Sequence, residues 1–484
     1  MILYGEGGTG KSKVIQTITS LFRQRGVEDI LQKTSYTGIA ASLIDGQTMH
    51  TLAGMSLKRK GKMSSDCRRR LEETWANKHY LIIDEYSMIS KTFLQKFALK
   101  IKQARKCVDD EDWWGGLNVI MCGDFHQFPP VAVGRSECLF KPTENEEAHP
   151  RVIGRQIYEG FSMVVILKQQ RRVKDEEWLQ FLRRLRNGRV ITEDIAMLRN
   201  LVLSPSARGD MMDNSWNDMS LITPRHAVRT RWNDQACREM CSSLGRTLFI
   251  CAAKDFSGDS ELTREEQLRL RKRLTVKKLK SLPDEIEIAI GMKVLVTYNV
   301  ETSLDITNGA RGTISNIIFD AREDMNQCTS VQRLQYLPKY ILVHMNRTKV
   351  CKLSGLPDNV IPIEPISMRM DVQMENGKSM VVRRTQFPIT GAYAFTDYRS
   401  QGQTISRAII DIAPPPRGSL NLFNLYVALS RCPDREHIRL LREFKEEMLL
   451  KKHEESLIRE DERLECMEKN TTLWWNEVRC REES

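Results

Sequence analysis

The sequence predicts an α/β fold of parallel strands gathered around a phosphate-binding loop, and three stretches carry that reading. The first is the apolar run Ile2-Leu3-Tyr4, then Gly5-Glu6-Gly7-Gly8-Thr9-Gly10-Lys11-Ser12, then a helical pattern from Lys13 to Arg23. It fits a strand, a G-x-x-x-x-G-K-[ST] loop and a helix in the required order. The second is Tyr80-Leu81-Ile82-Ile83-Asp84-Glu85, an apolar strand ending in two carboxylates. The third runs from Leu117 to Cys122 into Gly123-Asp124-Phe125-His126-Gln127-Phe128-Pro129-Pro130. Strands buried on both faces read as continuous apolar runs, and in open α/β sheets ligands collect at their carboxyl ends.

Each stretch then acquires a chemical role. Gly5, Gly7, Gly8, Thr9 and Gly10 let the backbone fold around a triphosphate with its amides inward, and the following helix points the positive end of its dipole at the same charge. Lys11 is placed to neutralise the β- and γ-phosphates and Ser12 to ligate magnesium. Asp84 is expected to hold that metal and Glu85 to polarise the attacking water. Gln127 can bond both the γ-phosphate and the water, while the two prolines stiffen the turn beyond it. ATP and Mg2+ are the cofactors this pattern calls for. His126, a lone loop histidine, reads as structural or solvated, and Trp113-Trp114 as closing the entrance to a strand.

Composition bounds the rest. A length of 484 residues predicts about three domains, and 41% hydrophobic with 28% charged residues is ordinary for globular protein. Lys and Arg number 74 against 63 Asp and Glu, a formal net charge of +11 that favours a polyanionic partner. The 12 cysteines include no C-x-x-C pair, and Cys237 and Cys241 lack a matching second pair, so reduced thiols are expected and zinc is not. No apolar run approaches a membrane span and the amino terminus lacks a secretory pattern, which predicts an intracellular protein with no membrane partner. Small and hydroxyl residues at Thr37-Gly38-Ile39 and near His50 suit either a phosphate of a nucleic-acid strand or a plain helix cap. The basic stretch Lys58-Arg59-Lys60-Gly61-Lys62 with Arg68-Arg69-Arg70 reads first as a solvated surface and second as a nucleic-acid projection.

Taken together, Gly5 to Ser12, Thr37 to Ala41, Asp84-Glu85-Tyr86-Ser87-Met88 and Gly123 to Pro130 resemble helicase motifs I, Ia, II and III. They resemble those of the Pif-type DNA helicases of superfamily 1, relatives of RecD, including helicases fused to Helitron transposons. Leu167 to Asp175 resembles motif IV and puts Arg172, with Arg171 beside it, at the family's nucleotide-sensing arginine. Leu221-Ile222-Thr223-Pro224-Arg225 to Asn233 resembles the strand and helix that follow. Gly291-Met292-Lys293-Val294 and Asn308-Gly309-Ala310-Arg311-Gly312 look like the lead into a small inserted barrel, and the β-rich run from Thr313 to Arg384 would be that insert. Gln386-Phe387-Pro388 and Tyr398-Arg399-Ser400-Gln401-Gly402-Gln403-Thr404 resemble motif V, with Tyr398-Arg399 where the family usually has His-Lys. Tyr426-Val427-Ala428-Leu429-Ser430-Arg431 matches motif VI.

The resemblance implies two RecA-like P-loop motor domains, at 1–160 and at 161–300 with 386–441, and an SH3-like β-barrel insert at 301–385. A basic wedge-like segment is expected at about 55–75. Residues 442–484 form a charged helical tail, read as a solvated helix or loose tail, with a partner-binding helix the lesser alternative. Lys11, Glu85, Gln127, Arg172 and Arg431 are the implied catalytic set, with Arg431 crossing the cleft to meet charge on the γ-phosphate. Thr37, Gly38, His50, Pro130, Tyr398, Ser400 and Gln401 are the implied DNA contacts. Single-stranded and forked DNA are the implied partners of a monomer moving 5′ to 3′, in a nuclear setting of repair, recombination, telomere maintenance or Helitron transposition. A transposon relic that grips DNA without hydrolysing ATP is the rival reading; a clamp-loader-like ATPase is disfavoured by motifs III, V and VI. Relatives carry an adenine-reading glutamine upstream of the loop, and only Met1 to Tyr4 precede Gly5, so weak selectivity for ATP over GTP or CTP is expected.

Overall fold

The computed structural model describes residues 1–55, 64–109, 111–131, 133–144, 148–203, 216, 219–263, 265–267, 270, 282–301, 304, 306–324, 329–348, 352–373, 379–416 and 419–482. The chain divides into two compact units, Met1–Arg225 with Phe395–Ser484, and His226–Ala394.

The first unit holds two parallel sheets. One comprises β1 (Ile2–Gly5), β2 (Leu31–Ser35), β3 (Gln47–Thr48), β4 (Tyr80–Asp84), β5 (Asn118–Gly123) and β6 (Val164–Leu167), in the spatial order β3-β2-β4-β5-β1-β6. Leu81, Ile82 and Ile83 are wholly buried, as a central strand covered on both faces requires. Cys122 lies opposite both Leu3 and Asp84, so the glycine loop and the paired acids leave the sheet at the same edge. Helices α1 (Lys11–Gln24), α2 (Lys91–Ala104) and α3 (His149–Glu159) accompany this sheet. Ser90 caps α2 by accepting from the Phe93 amide, and Leu94, Phe97 and Ile101, at helical spacing, enter one core with Ile157 and Tyr158. At Gly154 a Cβ would lie 2.0 Å from the Lys91 carbonyl oxygen, so only glycine lets α3 lie this close to α2.

The second sheet aligns β7 (Ser220–Ile222), β8 (Ala408–Ile410) and β9 (Ile438–Leu440) in parallel. Helix α4 (Glu176–Arg186) begins at Asp175, which accepts from the Trp178 amide, with acids in its first turn and arginines in its last as the dipole favours. Its Trp178, Phe181 and Leu185 share a core with Leu425 and Leu429 of α6 (Leu422–Leu429), which follows the short helix α5 (Asp397–Ser400). The expected boundary at residue 160 comes too early: β6 pairs with β1 along its whole length, so the first sheet extends to Leu167.

The charged tail differs from expectation as well. Helix α7 (Glu455–Glu482) is neither loose nor fully solvated, because Leu457 and Leu464 are buried in the core of the first sheet and Glu460 is 3% exposed. Mixed charge hid the face, since its acids turn inward to buried partners. Glu460 accepts from the Tyr158 hydroxyl at 2.6 Å and faces Arg155 at 3.2 Å, and Thr471 accepts from the Val164 amide on β6. Its outer face, with Ile458 and Arg459, and its far end around Trp474 and Trp475 are exposed.

The second unit is β-rich. Helix His226–Leu244 precedes an antiparallel five-stranded sheet in the order Val360–Ile363, Tyr340–Met345, Arg311–Ile318, Lys293–Val296, Ile389–Gly391. Smaller sheets of three and four strands complete it, and a buried Arg384–Asp255 pair at 2.7 Å fastens two strands of the latter. Strands begin at Leu248, ahead of the expected start at 301. Among the described residues Val360–Ile363 and Ile389–Gly391 are the two edges of the five-stranded sheet, so the pairing is that of an open sheet and the expected SH3-like closure is not recorded.

The run Lys58 to Lys62 lies outside the described residues. Arg68, Arg69 and Arg70 sit on the helix Ser65–Trp75, which buries Leu71 and Trp75 while Arg68 and Arg69 pair with Glu72 and Glu73 at the surface. Among the described residues no helix is long and apolar enough to cross a membrane.

Candidate nucleotide site

The site grows from the carboxyl edge of the first sheet. After β1 the chain turns through Gly8 and Gly10, both at positive φ (96° and 94°), and enters α1 at Lys11. A side chain at Gly8 would be strained, since φ is positive and a Cβ there would stand 2.8 Å from Arg172 Cβ. The buried Lys11 Nζ donates to the carbonyls of Gly5 at 2.6 Å and Glu6 at 3.1 Å, which aims it along the inner wall of the loop. Ser12 opens α1 and lines the same cavity of about 480 Å³ with Lys11, Asp84, Glu85, Gln127, Arg172 and Arg431.

Asp84 ends β4 and accepts from the Glu85 amide at 2.9 Å. Burial, and then the neighbouring Glu85 charge, push the Asp84 carboxyl above its ordinary range. Two carboxylates held together out of water beside a serine hydroxyl suit a hard divalent cation, so Asp84 and Ser12 fit the magnesium expected of them. Glu85 adopts a left-handed conformation (φ 55°, ψ 47°), a strained choice for a residue other than glycine. Its Oε2 accepts from Gln401 Nε2 at 3.0 Å.

Two arginines face these acids, Arg172 from the segment between β6 and α4 and Arg431 from just past α6. Arg172 donates through Nε to Thr404 Oγ1 at 3.0 Å and through Nη1 to the Ser430 carbonyl at 2.9 Å. Arg431, 1% exposed, donates to the Val427 carbonyl and to Ser430 Oγ. Burial, and then the adjacent Arg172, draw the Arg431 guanidinium down to about 9, a repulsion that an anion received between them would relieve. Arg171 also lines the cavity but is exposed, which separates it from Arg172. The structure therefore brings together Lys11, Ser12, Asp84, Glu85, Gln127, Arg172 and Arg431 from stretches far apart in sequence.

Two members of this site carried no separate sequence signal. The Tyr426 hydroxyl accepts from the Gly7 amide at 3.1 Å, and Gln170 donates to the Gly7 carbonyl at 3.0 Å while its Oε1 accepts from the Arg171 and Arg172 amides. Gly7 of the phosphate loop is thus held at both its N–H and its carbonyl. Tyr426 lies within motif VI and Gln170 within motif IV, but neither side chain was singled out there.

The expected nucleic-acid contacts divide. Tyr398 is 45% exposed, and its ring stacks on Phe128 with centroids 4.0 Å apart. Thr37, Gly38, His50 and Pro130 are half-buried; Thr37 Oγ1 caps the helix Gly38–Leu43 by accepting from Ala40, and His50 packs against Tyr36 and Phe93. Ser400 is fully buried, with its hydroxyl donating to the Asp397 carbonyl, and so is withdrawn from a strand on the surface. Gln401, expected at the DNA, is buried and donates through Nε2 to Glu85 Oε2 at 3.0 Å. His126 is buried, its Nε2 2.7 Å from Asp461, and Trp113 and Trp114 pack on the first core.

Known proteins resemble this chain in sequence and fold. A family model described as PIF1-like helicase matches residues 1–195. The ATP-dependent DNA helicase RRM3 of Saccharomyces cerevisiae is 26% identical over 478 residues, covering 90% of this chain and 62% of the relative. The ATP-dependent DNA helicase PIF1 of Danio rerio is 24% identical over 460 residues, covering 90% and 57%. The chain thus spans about three fifths of the length of these relatives. Among solved structures, Pif1 helicase from Candida albicans aligns with a TM-score of 0.66 at 22% identity over 96% of this chain and 95% of that one. Bacteroides Pif1 bound to ssDNA aligns at 0.63 and 21% identity over 96% and 92%. The shared fold is that of RecA-like motor domains, and over residues 1–195 the chain is similar to the PIF1-like helicases.

Proposed function

We propose that the chain is the motor of an ATP-dependent DNA helicase, with its two sheets forming two motor domains that open and close around each nucleotide. The observation that carries this reading is the convergence of Arg172, from the segment joining β6 to α4, and Arg431, just past α6, on the cavity lined by Lys11, Asp84, Glu85 and Gln127. Lys11 neutralises ground-state phosphate charge. Glu85 takes the proton of the attacking water and Gln127 orients that water. Arg431, helped by Arg172, meets charge that develops on the γ-phosphate as the sheets close. Magnesium, held by Ser12 and Asp84, would neutralise phosphate oxygens when bound.

The strand would run past Thr37, Gly38, His50, Pro130 and Tyr398, in the 5′-to-3′ direction, as single-stranded or forked DNA. Tyr398 offers an exposed ring for base stacking, a sequence-tolerant contact, and the net charge of +11 suits a phosphate backbone. Nuclear repair, recombination or transposition is the setting this activity fits. The test is ATP hydrolysis with and without single-stranded oligonucleotide, together with unwinding of duplexes carrying a 5′ or a 3′ tail. DNA-stimulated turnover with preference for the 5′ tail supports the proposal; strand binding without turnover would leave the relic that only grips DNA.

A further inference from the structure

Motif V does something here that its place on a DNA-facing segment does not announce. Its short helix α5 stands between two surfaces. At one end Tyr398 stacks on Phe128, the neighbour of Gln127, and keeps 45% of its surface open. Just past the other end, Gln401 is 8% exposed and donates through Nε2 to Glu85 Oε2 at 3.0 Å. The helix is stiffly joined to the second sheet's unit of structure, since the buried Asp397 accepts from the Tyr398 amide and from Asn424 Nδ2 of α6 at 2.6 Å.

Two details mark the Gln401–Glu85 contact as a poised arrangement. Gln401 Oε1 is buried and finds no hydrogen-bond partner among the described residues, a costly state for an amide oxygen. Glu85 holds its left-handed backbone conformation at the same point. A glutamine amide donating to a carboxylate stabilises its charge and fixes its direction, so a Glu85 so held is less free to turn toward water and accept a proton. Movement of α5 would release both the orphaned amide oxygen and the carboxylate.

We propose that Gln401 is a positioning residue that restrains Glu85 in a resting orientation, and that a single strand engaging Tyr398 shifts α5 and frees it, making hydrolysis depend on DNA. This rests on the reading of Glu85 as the base. It assigns DNA stimulation to a displacement at one side chain, without requiring Gln401 to touch DNA.

The test is steady-state ATP hydrolysis by the full chain with and without a saturating oligo-dT strand. Gln401→Met keeps the length and removes the bond; it should raise kcat without DNA by about tenfold, the weight of one such hydrogen bond. The DNA-saturated kcat, the KM for ATP and the half-saturating oligo-dT concentration should stay within about twofold, so that the stimulation ratio collapses. Gln401→Asn, one methylene too short to reach Glu85, should behave alike, and a thermal melt of each variant reports whether it is folded. Equal loss of both rates in folded variants would make Gln401 a structural or activating residue and overturn the proposal. So would a raised oligo-dT requirement with the ratio intact, which marks a direct DNA ligand. Glu85→Gln run beside them separates the two readings: parental turnover there sinks the assignment of the base itself, whereas loss of turnover leaves Gln401 to be judged on the ratio alone.

Discussion

Replacing Glu460 by alanine is expected to destabilise the first unit although the residue lies far from the phosphate loop in sequence. Glu460 Oε1 accepts from the Tyr158 hydroxyl at 2.6 Å and from Arg463 Nη2 at 2.7 Å, and Oε2 faces Arg155 Nη2 at 3.2 Å. Breaking a buried pair by removing one partner costs about 3–5 kcal/mol, because the other charge is left without compensation. Arg155 keeps Glu159 at 2.7 Å and the Leu139 carbonyl, and Arg463 reaches solvent, so the lower end, about 3 kcal/mol, applies. At about 2.1 cal/mol/K per residue a unit of this length shifts by about 1.5 °C per kcal/mol, so the melting midpoint should fall by roughly 4–5 °C. Guanidinium denaturation and thermal scans followed by circular dichroism measure it. Glu468→Ala, whose partner Lys168 is mostly exposed, is the control and should barely move the midpoint. A loss below about 1 kcal/mol in Glu460→Ala would mean that Arg155 and Tyr158 rehydrate freely, and the inner face of α7 would then not be a buried one.

Three further outcomes are expected. Burial, and then the nearby His126, hold His453 down to about 4, so between pH 6.5 and 4 the unfolded chain takes up a proton that the folded chain refuses, and stability falls as pH falls through that window. His453→Gln should flatten this acid limb in denaturation curves; an unchanged limb would show that other groups set it. Arg431→Ala should depress kcat about a thousandfold with little change in KM, and Arg172→Ala should do less of the same; equal losses in binding and rate would make Arg431 a ground-state ligand. Affinity for single-stranded DNA should fall with salt at a log–log slope of about −0.7 per phosphate contacted and depend little on base sequence, as titrations at several ionic strengths would reveal; a flat response would argue against a backbone-tracking surface.

What the sequence made legible was local. A strand, a glycine-rich turn and a helix in succession need only neighbours in the chain, and so β1, β4 and β5 were readable with the residues at their carboxyl edge. The orientation of Gln401 depends on a partner 316 positions away, and motif position alone put it on the DNA side. Tail helix α7 escaped for a similar reason, since the inward face of a helix whose acids meet buried arginines carries no clean apolar stripe. In the β-rich unit, turn signals gave strands but not their pairing: the partners of Leu248–Ala252 include Val331–Leu334, joined to it across a long excursion of chain.

The contact between Tyr4 and Asp461 joins residues 457 positions apart, with Arg186 and Asp124 in the same buried cluster. A ribosome makes β1 early and α7 late. Until α7 arrives, the β6 edge lacks the Thr471 hydroxyl that accepts from Val164, and Arg155 and Tyr158 lack Glu460. An exposed strand edge of that kind invites pairing with other chains. The sheet that β1 begins is therefore finished only after α7 has been made, and between the two a nascent chain carries an unfinished edge of the kind that chaperones protect.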